Sequence, residues 1–241
     1  MVSGLLLRGL IAGVFAGLLA AGFSFLAGEP SIERAIAFET AMEQAEAQQP
    51  QPPIVSRSVQ RGAGLLTASI VYGAAIGGLF SLVFALAYGR SNGLDPKALS
   101  AFLAFAAFVA MVLVPELKYP ANPPAIGAAE TIGARTALYF AMLAISLLAM
   151  ILAATLALVL SARLGAWKGA LVSSAVFVAV AGLAALALPP VDEVPVNFPA
   201  SVLWNFRLAS IAARALLFAA LGLTFGGMTQ IWLRGGTPRR S

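Results

Sequence analysis

Six runs of apolar residues, each bounded by charge or proline, leave this chain few folds to adopt. They cover roughly 8–28, 62–89, 99–115, 134–161, 169–188 and 208–233. A bilayer core about 30 Å thick is crossed by about 20 helical residues. Inside lipid every backbone donor and acceptor must be satisfied within the protein, so only helices and closed barrels span. Barrel strands would alternate apolar with polar residues, and these runs do not. The expectation is an all-α integral membrane protein, with about six transmembrane helices in one polytopic membrane domain over residues 1–241. The third run is the shortest, and Pro115 can sit within its last turn because lipid-buried helices tolerate proline.

The charges between the runs set the orientation. One side carries Arg8, Arg90, Lys97, Arg163, Lys168, Arg234, Arg239 and Arg240 against the single acid Asp95. The other side holds nine acids, Glu29, Glu33, Glu39, Glu43, Glu46, Glu116, Glu130, Asp192 and Glu193, with seven basic residues. Positive charge in short loops and tails marks the cytoplasmic face. Both termini are therefore expected on the cytoplasmic side, with the acids gathered outside. A pI near 10.1 thus reflects topology and implies no nucleic-acid partner. A cleaved signal peptide is the rival reading of residues 1–28, where Arg8 precedes an apolar stretch and small residues.

The spans pair as three helical hairpins with proline-bearing outer loops. An arginine opens each returning helix: Arg61, Arg135 and Arg207. Arg214 lies one to two turns deeper, where an unpaired guanidinium would cost at least ~2.5 kcal/mol. Glu130, Asp192 or Glu193 are its expected partners. Arg135, Arg207 and Arg214 are read as pairing or gating residues. The first outer loop, 29–61, is expected to hold an amphipathic surface helix followed by the spacer "PQPP" (50–53). On that helix Glu39, Glu43 and Glu46 share a face that is either solvated or gathers cations.

The second and third loops, "PELKYPANPPAIG" (115–127) and "PPVDEVPVNFPA" (189–200), repeat the pattern P-x-N-x-P-A. Prolines remove donors and disfavour helix in the residue before them, so these segments are expected to be extended and to expose carbonyl oxygens. Glu116, Asn122, Asp192, Glu193 and Asn197 add carboxylate and amide oxygens of the kind that bind or pass hydrated divalent cations. The alternative is a pair of stiff external turns with asparagine caps. Met111, Met142, Met150 and Met228 fit either lipid-phase packing or soft-metal thioether chemistry. The patterns "GAAIGG" (73–78) and "GLTFGG" (222–227) predict close helix contact.

Several chemistries are excluded. The chain has no cysteine and no histidine, which removes disulfides, thiolate or imidazole metal ligands, and histidine-based catalysis. The expected spans carry no Asp or Glu, the three lysines lie in loops, and no G-x-x-x-x-G-K-[ST] is present. The chain is expected to be neither an enzyme nor a holder of a cofactor of its own.

The segments "GEPSIERAIAFE" (28–39), "RSVQRGAGLL" (57–66), "PELKYPANPPAIG" and "DEVPVNFPASVLWNFRLAS" (192–210) together resemble the CbtA family of predicted cobalt transporter subunits, in order along nearly the whole chain. That resemblance implies a bacterial inner-membrane protein, cobalt(II) as the transported ion, a role beside cobalamin synthesis, and a small single-span partner of the CbtB kind with a histidine-bearing terminus. Membrane lipid is the other expected partner, and oligomerisation is left open. Cobalt favours nitrogen donors more than magnesium does, so a chain without histidine would depend on its partner for selectivity. The alternative function is a non-transporting assembly or accessory subunit, with Tyr119, Phe198, Trp204 and Phe206 as docking or interfacial anchors.

Overall fold

The computed structural model describes residues 2–45, 54–90 and 93–235; Glu46, the "PQPP" spacer, Arg239 and Arg240 lie outside the described residues. Among the described residues, all regular structure is helical. Six helices are long and apolar enough to cross a membrane: α1 Val2–Ala45, α2 Arg57–Ala87, α3 Pro96–Lys118, α4 Ala129–Leu164, α5 Ala166–Ala187 and α6 Ala200–Gly235. The chain is thus an all-α, multi-pass membrane protein. It divides into two compact units, one of residues 1–108, 123–125 and 199–241, the other of 109–122 and 126–198.

In the first unit, glycine decides the packing. Gly9, Gly13 and Gly17 recur every fourth residue on α1 and face Ser69, Gly73 and Gly77 of α2. A Cβ at Gly13 would stand 2.1 Å from the Gly73 carbonyl oxygen, and one at Gly77 would stand 2.1 Å from that of Gly9. The two backbones touch directly. Apolar side chains gain little by leaving lipid for a protein interior, so helix association rests on such close contact and on hydrogen bonds between helices. The first part of α3 packs on α6 in the same way, with a Cβ at Gly222 falling 2.5 Å from that of Ala104. The buried Ser100 hydroxyl donates to the Gly222 carbonyl at 2.7 Å. Phe225 of α6 then meets Phe80 and Phe84 of α2 edge-on, at 5.4 and 5.0 Å between ring centres. Ser100→Ala is expected to lower stability in detergent by about 1 kcal/mol, read by thermal unfolding; an unchanged transition would remove that bond from the account.

Two helices run on where the sequence predicts breaks. The segment 29–45 continues α1 rather than forming a separate surface helix, and α3 passes through Pro115 to Lys118, so Glu116 lies in a helical turn instead of a loop. The reason is the same at both places. Proline lacks a donor and its ring clashes with the carbonyl four residues earlier. For Pro30 that residue is Leu26, in the middle of a π-turn at Ser24–Gly28; for Pro115 it is Met111, in the middle of a π-turn at Val109–Leu113. The wider turn makes room for the ring, so the helix continues.

The second unit holds the end of α3 with α4 and α5. The α4 to α5 connection turns at Gly165, whose φ of 84° suits glycine. Gly169 then lets α5 approach the α4 backbone, because a Cβ there would lie 2.8 Å from the Ser161 nitrogen. Tyr119, Met142 and Ala184 form one buried cluster, and Ala149, Ala153 and Phe177 another, against which Met150 packs.

Candidate functional site

In the second unit the two proline loops meet. The helix α3 ends as the Tyr119 amide donates to the Pro115 carbonyl at 2.8 Å. Tyr119 is buried, and its hydroxyl reaches across to donate to the Pro189 carbonyl at 2.8 Å. A second tie lies nine residues further along, at Ala128. Glu193 Oε2 accepts from the Ala128 amide at 3.0 Å and sits 3.3 Å from Arg135 Nε. That second contact is an ion pair without hydrogen-bond alignment. Arg135 completes the arrangement by donating from its terminal nitrogen to the Ala128 carbonyl at 3.1 Å. One carboxylate and one guanidinium, themselves paired, thus hold Ala128 by its amide and by its carbonyl.

Local structure places these groups. Gly127 has φ 106°, a conformation reserved for glycine, and the Arg135 guanidinium lies where its Cβ would be. A short 3₁₀ turn at Ala129–Thr131 then starts α4 and aims Arg135 back over the loop. The Glu193 carboxyl is held below the usual carboxylate range by the Thr131 hydroxyl, the Ala128 amide and the Arg135 charge, while partial burial pushes the other way. The Thr131 hydroxyl has a single proton and also lies 2.9 Å from the Ala128 carbonyl. It can serve only one acceptor at a time, so the amide and the guanidinium are the lasting partners.

The remaining expected residues occupy varied settings. Glu116 is buried, at 4% exposure. Asp192 and Asn197 are exposed, and Asn122 is half-buried. No three Asp, Glu, His or Cys side chains gather as a metal-holding group among the described residues. The repeated P-x-N-x-P-A does not repeat as backbone. In the first copy Ala125 takes φ 70°, whereas in the second Ala200 begins α6, with the Val202 and Leu203 amides donating to Pro199. Of the aromatics near these loops, Tyr119 and Phe198 are buried while Trp204 is exposed.

In the first unit the arginines that open α2 also find carboxylates. Arg57 pairs with Glu29, and Arg61 with Glu33 at 2.7 Å. Each pair spans 28 residues of chain, so two successive turns are matched across the first loop. Arg207 and Arg214 are half-buried on α6. Glu193, one of the acids expected beside Arg214, is held by Arg135. The sequence reading named Arg135 and Glu193 separately but missed Gly127 and the Ala128 backbone. A glycine after the P-x-N-x-P-A pattern was the available signal.

The family model described as "Probable cobalt transporter subunit (CbtA)" matches residues 2–230, nearly the whole chain. No curated protein and no solved structure matches it.

Proposed function

Because the chain belongs to the CbtA family of probable cobalt transporter subunits, we propose that it is the inner-membrane subunit of a cobalt uptake transporter, with both termini cytoplasmic and the proline loops facing outward. Cobalt(II) meets oxygen donors on those loops. The observation that carries this reading is the Glu193 clamp. An anionic carboxylate, stabilised against protonation, is held by an arginine that an arriving divalent cation can displace. Displacement would loosen the tie between the loops and free the carboxylate oxygens together.

Three carboxylates of the second unit grade from exposed to buried, Asp192 then Glu193 then Glu116. Conduction requires sites that hold an ion weakly and in succession, and tight storage would defeat it. The absence of a three-acid cluster among the described residues suits passage better than storage. Selectivity for cobalt falls to a small histidine-bearing, single-span partner of the CbtB kind, because this chain has no imidazole. No enzymatic activity is assigned to it.

The test is cobalt uptake by cells lacking other cobalt importers, with this chain alone, the histidine-bearing partner alone, both, and neither. Uptake is expected only with both. The combined variant Glu116→Gln, Asp192→Asn, Glu193→Gln should abolish it while the protein remains in the membrane. Full uptake by that variant would sink the proposed path. It would favour the second reading, an accessory subunit whose loops, locked by Glu193 and Tyr119, dock a partner and move no ion.

A further inference from the structure

The outward end of the first unit carries an open cleft of about 370 Å³ between α1 and α6. Its depth in the membrane can be fixed from the helices. Near the opposite end, Gly4 lies against Trp232 and the Arg8 guanidinium sits 4.2 Å over the Trp232 ring. Tryptophan with a cation beside it is the usual marker of a membrane interface. From that level to the cleft is 19 residues along α1, Gly4 to Phe23, and 20 along α6, Trp232 to Ala212. Both distances come to about 30 Å at 1.5 Å per residue, one hydrocarbon thickness. The cleft therefore opens where acyl chains meet headgroups.

Both walls change character in the same direction. Toward the bilayer centre they are apolar, with Phe23 and Ala27 on one side and Leu208 and Ala212 on the other. Away from the centre they become polar, with Ser31 and Arg34 facing Asn205. Arg34 is the charge in this lining. Its helix also carries Glu29 and Glu33, which are taken by Arg57 and Arg61, and Glu39 and Glu43, which lie more than one turn further along. No ion pair to Arg34 is present among the described residues, so beside an apolar slot its guanidinium is open to an anion.

We propose that this cleft is a binding site for an anionic glycerophospholipid, with the phosphate on Arg34, the glycerol and ester oxygens on Asn205 and Ser31, and one acyl chain along Phe23, Leu208 and Ala212. The polar-to-apolar gradient at the depth of a headgroup selects an amphiphile over a free anion. The guanidinium, with no ion pair among the described residues, selects an anionic headgroup over a zwitterionic one, whose own ammonium would be repelled. This inference is independent of which ion the protein moves.

The experiment is native mass spectrometry of the full-length protein in detergent, titrated with phosphatidylglycerol, with phosphatidylcholine of the same acyl chains, and with inorganic phosphate. Phosphatidylglycerol is expected to bind at least about tenfold more tightly than phosphatidylcholine, and inorganic phosphate not to compete at millimolar concentration. Arg34→Gln and, separately, Asn205→Asp should each erase the preference. Both side chains are exposed, so the variants should fold, which their thermal transitions would confirm. Equal binding of the two lipids by the native protein, a preference that survives in both variants, or full competition by inorganic phosphate would each overturn the proposal.

Discussion

Gly13→Leu is expected to destabilise the first unit strongly by forcing α1 from α2. A Cβ at this position would lie 2.1 Å from the Gly73 carbonyl oxygen, and the nearest atoms are backbone rather than the movable end of a side chain. Ordinary van der Waals contact begins near 3.4 Å, so α1 and α2 would have to separate along the contact that also includes Gly9, Gly17 and Gly77. Overpacking of this kind costs about 3 kcal/mol, or roughly 10 °C in a thermal transition for a chain of this size. Even alanine meets the same atoms, and Gly13→Ala should show a smaller loss in the same direction. Gly182→Ala is the control, since no atom lies within 4 Å of its added carbon and alanine favours the helix. Gly13→Leu protein melting together with the native protein would mean that the backbones are not in contact.

That contact shows where the sequence was legible and where it was not. "GAAIGG" announced that α2 would approach something closely, because small residues at a spacing of four have little other use in lipid. The matching face on α1 was present at Gly9, Gly13 and Gly17 but was read only as part of an apolar run. A glycine stripe is half of an interface, and nothing local specifies its partner. The six spans were legible because the cost of burying backbone and charge in lipid acts residue by residue. The continuation of α1 through Pro30, and of α3 beyond Pro115 to Lys118, was not, because a π-turn is a choice of hydrogen-bond register that proline content does not encode.

The candidate site divides along the same line. That Arg135 opens a returning helix could be read from its place after a polar loop. Its grip on Glu193, 58 residues away, depends on how α4 and α5 bring the two loops together. The repeated P-x-N-x-P-A was misleading in one respect. Similar residues produced unlike backbones, because Ala200 is followed by a long helical segment whereas Ala125 precedes Ile126 and Gly127 in a tight loop. The buried Ile126 anchors that loop.

Gly127→Ala should open the clamp without removing any charged group. At φ 106° a side chain is strained by about 1–3 kcal/mol, and the added carbon falls on the Arg135 guanidinium. The guanidinium is the flexible end of a long side chain, so it can swing away, and in doing so it leaves Glu193. The consequence is a specific non-additivity. Glu193→Gln should lower the thermal transition of the native protein, yet cost little more in the Gly127→Ala background, since the partner has already departed. The native contribution of Glu193 should also depend on pH with a defined sign. Its folded carboxyl titrates below the ordinary value, so the folded state binds fewer protons than the unfolded one at mildly acidic pH. The stability difference between native protein and Glu193→Gln should therefore be constant above about pH 5 and shrink as pH falls through the ordinary carboxylate range and below it. Gly127→Ala should flatten that dependence. Equal costs of Glu193→Gln in both backgrounds would show that Arg135 and Glu193 act separately, and the reading of Glu193 as a carboxylate released by displacing an arginine would fall with them.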